Sequence, residues 1–222
     1  MTDEDILRHV DHTLLKAASA WKEIEKLCEE AIKYKTASVC IPPSYVEPVS
    51  RSFKGITVCT VIGFPLGYSV TAAKVREAEY ALSAGAAELD MVINIGDIKN
   101  SAFDKVEEEI ALLKKTAGNK ILKVIVETCY LSREEKIRLC QIVSKAGADY
   151  IKTSTGFGSA GAVIDDILLF KEHISPGVKI KAAGGIKTRD DMVKFLEQGC
   201  SRLGTSSAVA LLANRENGIS GY

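Results

Sequence analysis

Apolar positions along this chain fall into short runs separated by longer stretches with helical spacing. Eight runs have strand character: His9–Leu15, Ser38–Pro42, Thr57–Pro65, Glu88–Asn94, Leu122–Thr128, Tyr150–Gly156, Val178–Gly184 and Arg202–Ser206. Between them, Trp21–Lys35 is apolar at Ile24, Leu27, Cys28, Ala31 and Ile32, the recurrence of one helix face. Ala72–Ala84, Ala102–Thr116, Arg133–Ala146, Asp165–His173 and Arg189–Gln198 repeat the pattern. Ser132 and Thr188 each precede acidic residues that suit a first helical turn. Gly85, Gly147 and Gly199 stand where a helix ends in the left-handed conformation. Strand and helix alternating along the whole chain predict a single (β/α)8 TIM barrel over residues 1–213, with a polar tail at 214–222. The rival, an open doubly wound sheet, lacks its usual glycine fingerprint for dinucleotides.

Two runs break the apolar rule. Lys152 follows Tyr150-Ile151, and Lys181 follows Lys179-Ile180. Burying an unpaired ammonium costs several kcal/mol, so a lysine inside a strand needs a reason. Alternation puts Lys152 on one strand face and Ile151 and Thr153 on the other. Lys181 and Asp90 are flanked in the same way, so the three converge if all point inward. A neutral lysine attacks carbonyls, whereas an ordinary one, with a pKa of about 10.4, is protonated at pH 7. A second ammonium nearby and partial desolvation both favour the neutral form, and Lys181 suits the first task. Asp90 is then placed to move protons, directly or through water. Lys123 and Lys179 come early in their runs and are expected in solvent at the other rim. Glu127 reads equally as ion-pair scaffold or as support for the site.

Barrel sites lie at the C-terminal ends of strands. That rule adds Asp11 and Thr13 from the first run, Cys40 from the second, and Thr155 and Gly156 from the sixth. Gly184 and Gly185 follow the seventh run, and Gly204, Ser206 and Ser207 belong to the eighth. Loops after the last two barrel strands commonly hold phosphate through backbone N–H groups, hydroxyls and a helix N-terminus. Together they predict a small phosphorylated substrate. Cys40 reads equally as pocket lining or core. His9, His12 and His173 show no triad spacing and read as structural. Tyr222 ends a tail whose glycines would let its phenol reach the mouth as a proton relay. A frayed terminus is the alternative.

Composition removes other classes. The 222 residues carry 29 basic and 29 acidic side chains, which excludes a general affinity for nucleic acid or anionic membranes. No apolar run approaches the roughly 20 residues of a membrane span, and no signal-peptide core follows Met1. The six cysteines form no C-x-x-C pair, so neither a metal site nor a disulfide framework is expected. The chain reads as cytoplasmic, with no cofactor.

The motifs Val10-Asp11-His12-Thr13-Leu14, Gly63-Phe64-Pro65, Glu88-Leu89-Asp90-Met91-Val92, Lys152-Thr153-Ser154-Thr155-Gly156, Lys181-Ala182-Ala183-Gly184-Gly185 and Gly204-Thr205-Ser206-Ser207 occur in order over essentially the whole chain. They resemble the deoxyribose-phosphate aldolase family. The resemblance implies a class I aldolase that reversibly cleaves 2-deoxy-D-ribose 5-phosphate to acetaldehyde and D-glyceraldehyde 3-phosphate. It implies Lys152 as Schiff-base lysine, Lys181 and Asp90 as proton-handling partners, and Gly156, Gly184, Gly185, Ser206 and Ser207 around phosphate. A terminal tyrosine that assists proton transfer and self-association as a homodimer or higher homo-oligomer are also implied. Ala182 and Ile93-Asn94 depart from the pattern of many relatives without removing a reacting group. A phosphosugar isomerase on the same barrel would share the phosphate loops but need no buried lysine pair. A non-catalytic phosphometabolite-binding barrel would need neither Lys152 nor Asp90.

Overall fold

The computed structural model describes residues 1–216, with side chains through residue 213. Eight parallel strands close into a barrel in chain order. They are β1 (Val10–Thr13), β2 (Ser38–Ile41), β3 (Val58–Ile62), β4 (Glu88–Val92), β5 (Ile121–Ile125), β6 (Tyr150–Lys152), β7 (Lys179–Ala183) and β8 (Arg202–Thr205). Each is shorter than its apolar run. The last residues of those runs (Phe64-Pro65, Ile93-Asn94, Val126–Thr128, Thr153–Gly156) lie past the strand ends and lead into the loops of the mouth.

The outer layer holds α1 (Asp3–Leu7), α2 (Trp21–Tyr34), α3 (Val46–Ser52), α4 (Thr71–Ser83), α5 (Ile95–Lys99), α6 (Phe103–Ala117), α7 (Arg133–Lys145), α8 (Ile164–His173), α9 (Arg189–Glu197) and α10 (Ala208–Glu216). Six of these match the helical spacing of the sequence. Helices α1, α3 and α5 are new. At five to seven residues they span under two turns, too short for a 3.6-residue period to repeat. Helix α10 is also new and crosses the residue 213/214 boundary drawn from polarity. Ser132 and Thr188 cap α7 and α9 with complete capping boxes. Gly85, Gly147 and Gly199 have φ of 110°, 75° and 111° directly after α4, α7 and α9.

Strand alternation separates two unlike environments. Outward residues, among them Val39, Ile41, Leu89, Met91, Leu122, Val124, Ile151, Ile180 and Leu203, join the helices in one large apolar cluster. Each large side chain buried there stabilises the fold by about 1.5–3 kcal/mol. Inward residues from the same strands are Asp11, Ser38, Glu88, Asp90, Lys123, Lys152, Lys181 and Arg202. A small separate cluster of Cys40, Cys59 and Val61 fills part of the space they leave. The interior of this barrel is therefore an ion-pair stack, where such barrels are usually packed with branched apolar layers. A lysine one residue away from Ile151 is no contradiction, because the two side chains face different solvents.

Candidate active site

Register sets the height of each charged group. Asp90 pairs with Lys123 across β4 and β5, and Ile125 pairs with Lys152 across β5 and β6. Lys152 therefore stands two residues nearer the mouth than Lys123. Lys152 pairs with Lys181, and Lys181 with Arg202. Strand tilt turns this series into a descent. Lys152 ends β6, Lys181 is central in β7, and Arg202 opens β8 at the base.

Asp90 is the hub. Its Oδ2 accepts from Lys152 Nζ at 2.8 Å and Lys181 Nζ at 2.6 Å, and its Oδ1 accepts from Lys123 Nζ at 2.8 Å and Cys59 Sγ at 3.1 Å. Asp11 lies deeper. It accepts from Lys181 at 2.5 Å, from Ser38 Oγ at 2.7 Å and from Arg202. Lys123 also meets Glu88 at 2.6 Å, and Arg202 joins Glu88 at 2.9 Å. Four cations thus face three carboxylates in one largely buried stack.

Burial alone would raise the Asp90 carboxyl, but Lys123, Lys152 and Lys181 outweigh it and hold the group well below the usual carboxylate range. For Asp11 the same contest, against Lys181, Lys123 and Arg202, also ends below that range. Burial would lower the Lys181 ammonium, yet Asp11 and Asp90 keep it above its ordinary value. Lys181 is therefore a paired cation that shares Asp90 Oδ2 with Lys152, not a bare ammonium facing it.

Lys123 corrects the sequence expectation. It is fully buried in the stack rather than solvated at the rim. Burial acts to lower its charge, and Asp90, Cys59, Asp11 and Glu88 reverse the effect. Its early place in the β5 run indicated depth correctly, but a barrel base plugged by Glu88, Arg202 and Tyr150 leaves it no route to water. Lys179 is exposed as expected, 5.8 Å from the Tyr150 ring. His12 points outward to Glu30 at 2.8 Å, and His9 bonds the Asp5 carbonyl.

A cavity of about 340 Å³ opens above the stack. Thr13, Lys152, Thr155, Gly156, Gly184, Gly185, Gly204, Ser206 and Ser207 line it, together with Lys16, Phe157, Ala183, Lys187 and Thr205. Of the stack's cations, Lys152 alone reaches this lining among the described residues. Asp90, Lys181 and Asp11 lie beneath it, and Cys40 is packed away with Cys59 and Val61. Of the two readings of Cys40, its burial favours core. Tyr222 lies outside the described residues. Lys16 and Lys187 were missed because exposed loop lysines carry no periodic signal.

Glycines shape the cavity. Gly184 and Gly185 have φ of 76° and 74°. A Cβ on Gly204 would stand 3.1 Å from Lys181 Cε and 3.0 Å from Ala183 Cβ, so the bare Gly204 lets the Lys181 stem pass. Glu127 follows β5 and anchors the loop after β6. It accepts from Thr155 N at 3.2 Å and from Thr155 Oγ1. Burial pushes its carboxyl up, with the Thr155 hydrogen bonds and the Lys152 charge opposing.

Comparison with known proteins agrees with this architecture. The chain is 58% identical over 217 residues to a deoxyribose-phosphate aldolase of Clostridium botulinum, covering 97% of this chain and 98% of that one. It is 56% identical over 212 residues to the deoxyribose-phosphate aldolase of Clostridioides difficile, covering 95% and 97%. Among solved structures, a tetrameric deoxyribose phosphate aldolase from Aeropyrum pernix superposes with a TM-score of 0.88 at 31% identity, over 97% of this chain and 92% of that one. An aldolase designated QR15 superposes with a TM-score of 0.92 at 37% identity, over 96% of each chain. The family model for DeoC/LacD family aldolases matches residues 6–217, and the chain belongs to that family.

Proposed function

We propose that this chain is a class I aldolase that reversibly cleaves 2-deoxy-D-ribose 5-phosphate to acetaldehyde and D-glyceraldehyde 3-phosphate. One observation carries the reading: Lys152 is bonded to a buried carboxylate at 2.8 Å and also lines a cavity bordered by glycine and serine loops. A lysine so placed suits attack on an aldehyde, and the paired loops suit a phosphate at the far end of the same substrate.

In the proposed reaction, the Lys152 amine adds to the open-chain aldehyde carbon, giving a carbinolamine that loses water to a protonated Schiff base. The bond between the second and third sugar carbons then breaks as the third carbon's hydroxyl gives up its proton. D-Glyceraldehyde 3-phosphate leaves, and the electron pair remains as an enamine on Lys152. Protonation of the enamine carbon and hydrolysis release acetaldehyde and restore the amine. Asp90, which hydrogen-bonds Lys152, is assigned the proton transfers, directly or through water. Lys181 holds Asp90 as an anion, and Asp11 in turn holds Lys181; both act as positioning groups. Of the four cations in the stack, Lys152 is the one that borders the cavity where a substrate carbonyl would arrive. Gly184, Gly185, Ser206 and Ser207 are assigned to phosphate, with Lys187 and Lys16 adding positive charge at the rim. Self-association draws support from the tetrameric relative.

An isomerase on the same barrel would share the loops but leaves the lysine–carboxylate stack without a task. Incubation with acetaldehyde and borohydride, followed by peptide mapping, tests the reading. A reduced two-carbon adduct on Lys152 is expected, and an unmodified Lys152 would refute it.

A further inference from the structure

One buried carboxylate outside the stack, Glu127, has no part in the chemistry above. Its surroundings are nevertheless built around it. The β5–β6 ladder continues past the strand ends with Val126 N donating to Lys152 O at 3.0 Å, then Thr128 N donating to Thr153 O at 2.9 Å. Two residues advance on the β5 side for one on the β6 side, so Glu127 is the extra residue of a bulge. Its φ of 55° is left-handed, a conformation that residues other than glycine and asparagine rarely adopt. Bulges re-aim side chains beside active sites. Here the bulge turns the carboxylate toward the β6 loop instead of the barrel axis.

The contacts made there form a chain. Both carboxylate oxygens accept from Thr155 N, and one also accepts from the Thr155 hydroxyl. Thr155 Oγ1 in turn accepts from Phe157 N at 3.0 Å. The Phe157 ring meets Phe64 edge-on at 5.3 Å between centroids. Gly158 roofs the carboxylate: a Cβ there would stand 3.1 Å from Glu127 Oε1. Thr155, Gly156 and Phe157 form one wall of the cavity, next to the glycine loop: a Cβ on Gly184 would stand 3.4 Å from Gly156 Cα.

We propose that Glu127 is a positioning residue for the acceptor aldehyde. Through Thr155 it fixes the Thr155–Phe157 wall against the Gly184 loop, completing the part of the cavity that receives D-glyceraldehyde 3-phosphate, and it leaves attack by Lys152 on acetaldehyde largely alone. This rests on the aldolase reading above. Glutamate is needed because one N–H, shared by both oxygens, and a hydroxyl converge on the same group; a carboxylate accepts on either oxygen, whereas an amide puts an NH2 donor in place of one of the two acceptors.

The test separates donor and acceptor halves in E127Q, T155V and T155S. Borohydride trapping of acetaldehyde on Lys152 reads the first half, and condensation with D-glyceraldehyde 3-phosphate reads the second. For E127Q, KM for D-glyceraldehyde 3-phosphate is expected to rise about tenfold while the trapping rate moves less than threefold. T155V is expected to raise the same KM about as much, and T155S, which keeps the hydroxyl, to return it to within twofold of the unmodified protein. Equal losses in trapping and condensation for E127Q would overturn the proposal, because Glu127 would then act on Lys152. An unchanged KM in E127Q would overturn it also. If E127Q does not fold, the threonine pair decides: equal KM values for T155V and T155S refute the chain. Absence of a trapped adduct in the unmodified protein is a separate result that removes the aldolase reading and this proposal with it.

Discussion

Lys152 and Lys123 stand on neighbouring strands and both bond Asp90, yet they occupy opposite ends of one charged interior. Lys152 touches a single carboxylate oxygen and has a side chain 4% exposed at the cavity. Lys123 is 0% exposed and reaches Asp90, Glu88 and, at 3.7 Å, Asp11. The same residue type and the same partner thus yield a reachable amine at the mouth and a sealed structural cation at the floor. Burial and pairing alone do not make a nucleophile. Access does, and access here is a matter of two residues of register.

The contrast is sharpest under truncation. Lys152→Ala is expected to lower kcat by roughly ten-thousand-fold or more, because the covalent route is lost. Its melting temperature should stay within about 4 °C of the parent, near 1 kcal/mol, since Asp90 keeps Lys181 and Lys123. Steady-state kinetics and calorimetry check both halves. A kcat within tenfold of the parent would erase the distinction between the two ends.

Lys123→Met should show the reverse emphasis. Asp90 Oδ1 would keep only the Cys59 thiol, and Glu88 would lose its 2.6 Å partner. Breaking a buried pair from one side costs about 3–5 kcal/mol. Urea midpoints would register that loss, with a smaller fall in kcat through a shifted Asp90. Unchanged stability would mean that the floor pairs are replaceable.

Acid weakens the stack from its carboxylates. Asp11 and Asp90 have folded values below their unfolded value of about 3.9, so their stabilisation is fully present above that pH and drains as pH falls toward the folded values. At pH 3 each is expected to have lost about 1 kcal/mol, read from denaturant midpoints between pH 6 and 3. Asp11→Asn should show a shallower fall over that interval. Lys123 and Lys181, held above their ordinary value, lose their contribution only as pH rises beyond about 10.4.

The smallest effect tests the steric link between the two ends. Gly204→Ala would place a methyl 3.1 Å from Lys181 Cε, displacing the cation that shares Asp90 with Lys152. A roughly tenfold fall in kcat, about 1.4 kcal/mol, with little change in KM is expected. A KM effect alone would place the role of Gly204 with the phosphate instead.

Much of this was legible in the chain. Alternation around Ile151, Lys152 and Thr153, and around Leu89, Asp90 and Met91, assigned faces correctly because strand side chains have a period of two whatever surrounds them. Helix spacing and the caps at Ser132 and Thr188 located six helices because those signals are local. The motifs from Asp11 to Ser207 carried the family resemblance.

Depth, partnership and access were decided by the tertiary structure. Alternation tells which face Lys123 takes, but not whether water reaches it; strand tilt and the plug at the base settle that. The sharing of Asp90 Oδ2 by Lys152 and Lys181 depends on residues 62 and 91 positions away from Asp90 arriving at one point. The bulge that turns Glu127 toward Thr155 depends on a one-residue slip between two strands. Local patterns record which face of an element is apolar. Register between elements is set by how all eight strands close on one another, and no window along the chain contains that information.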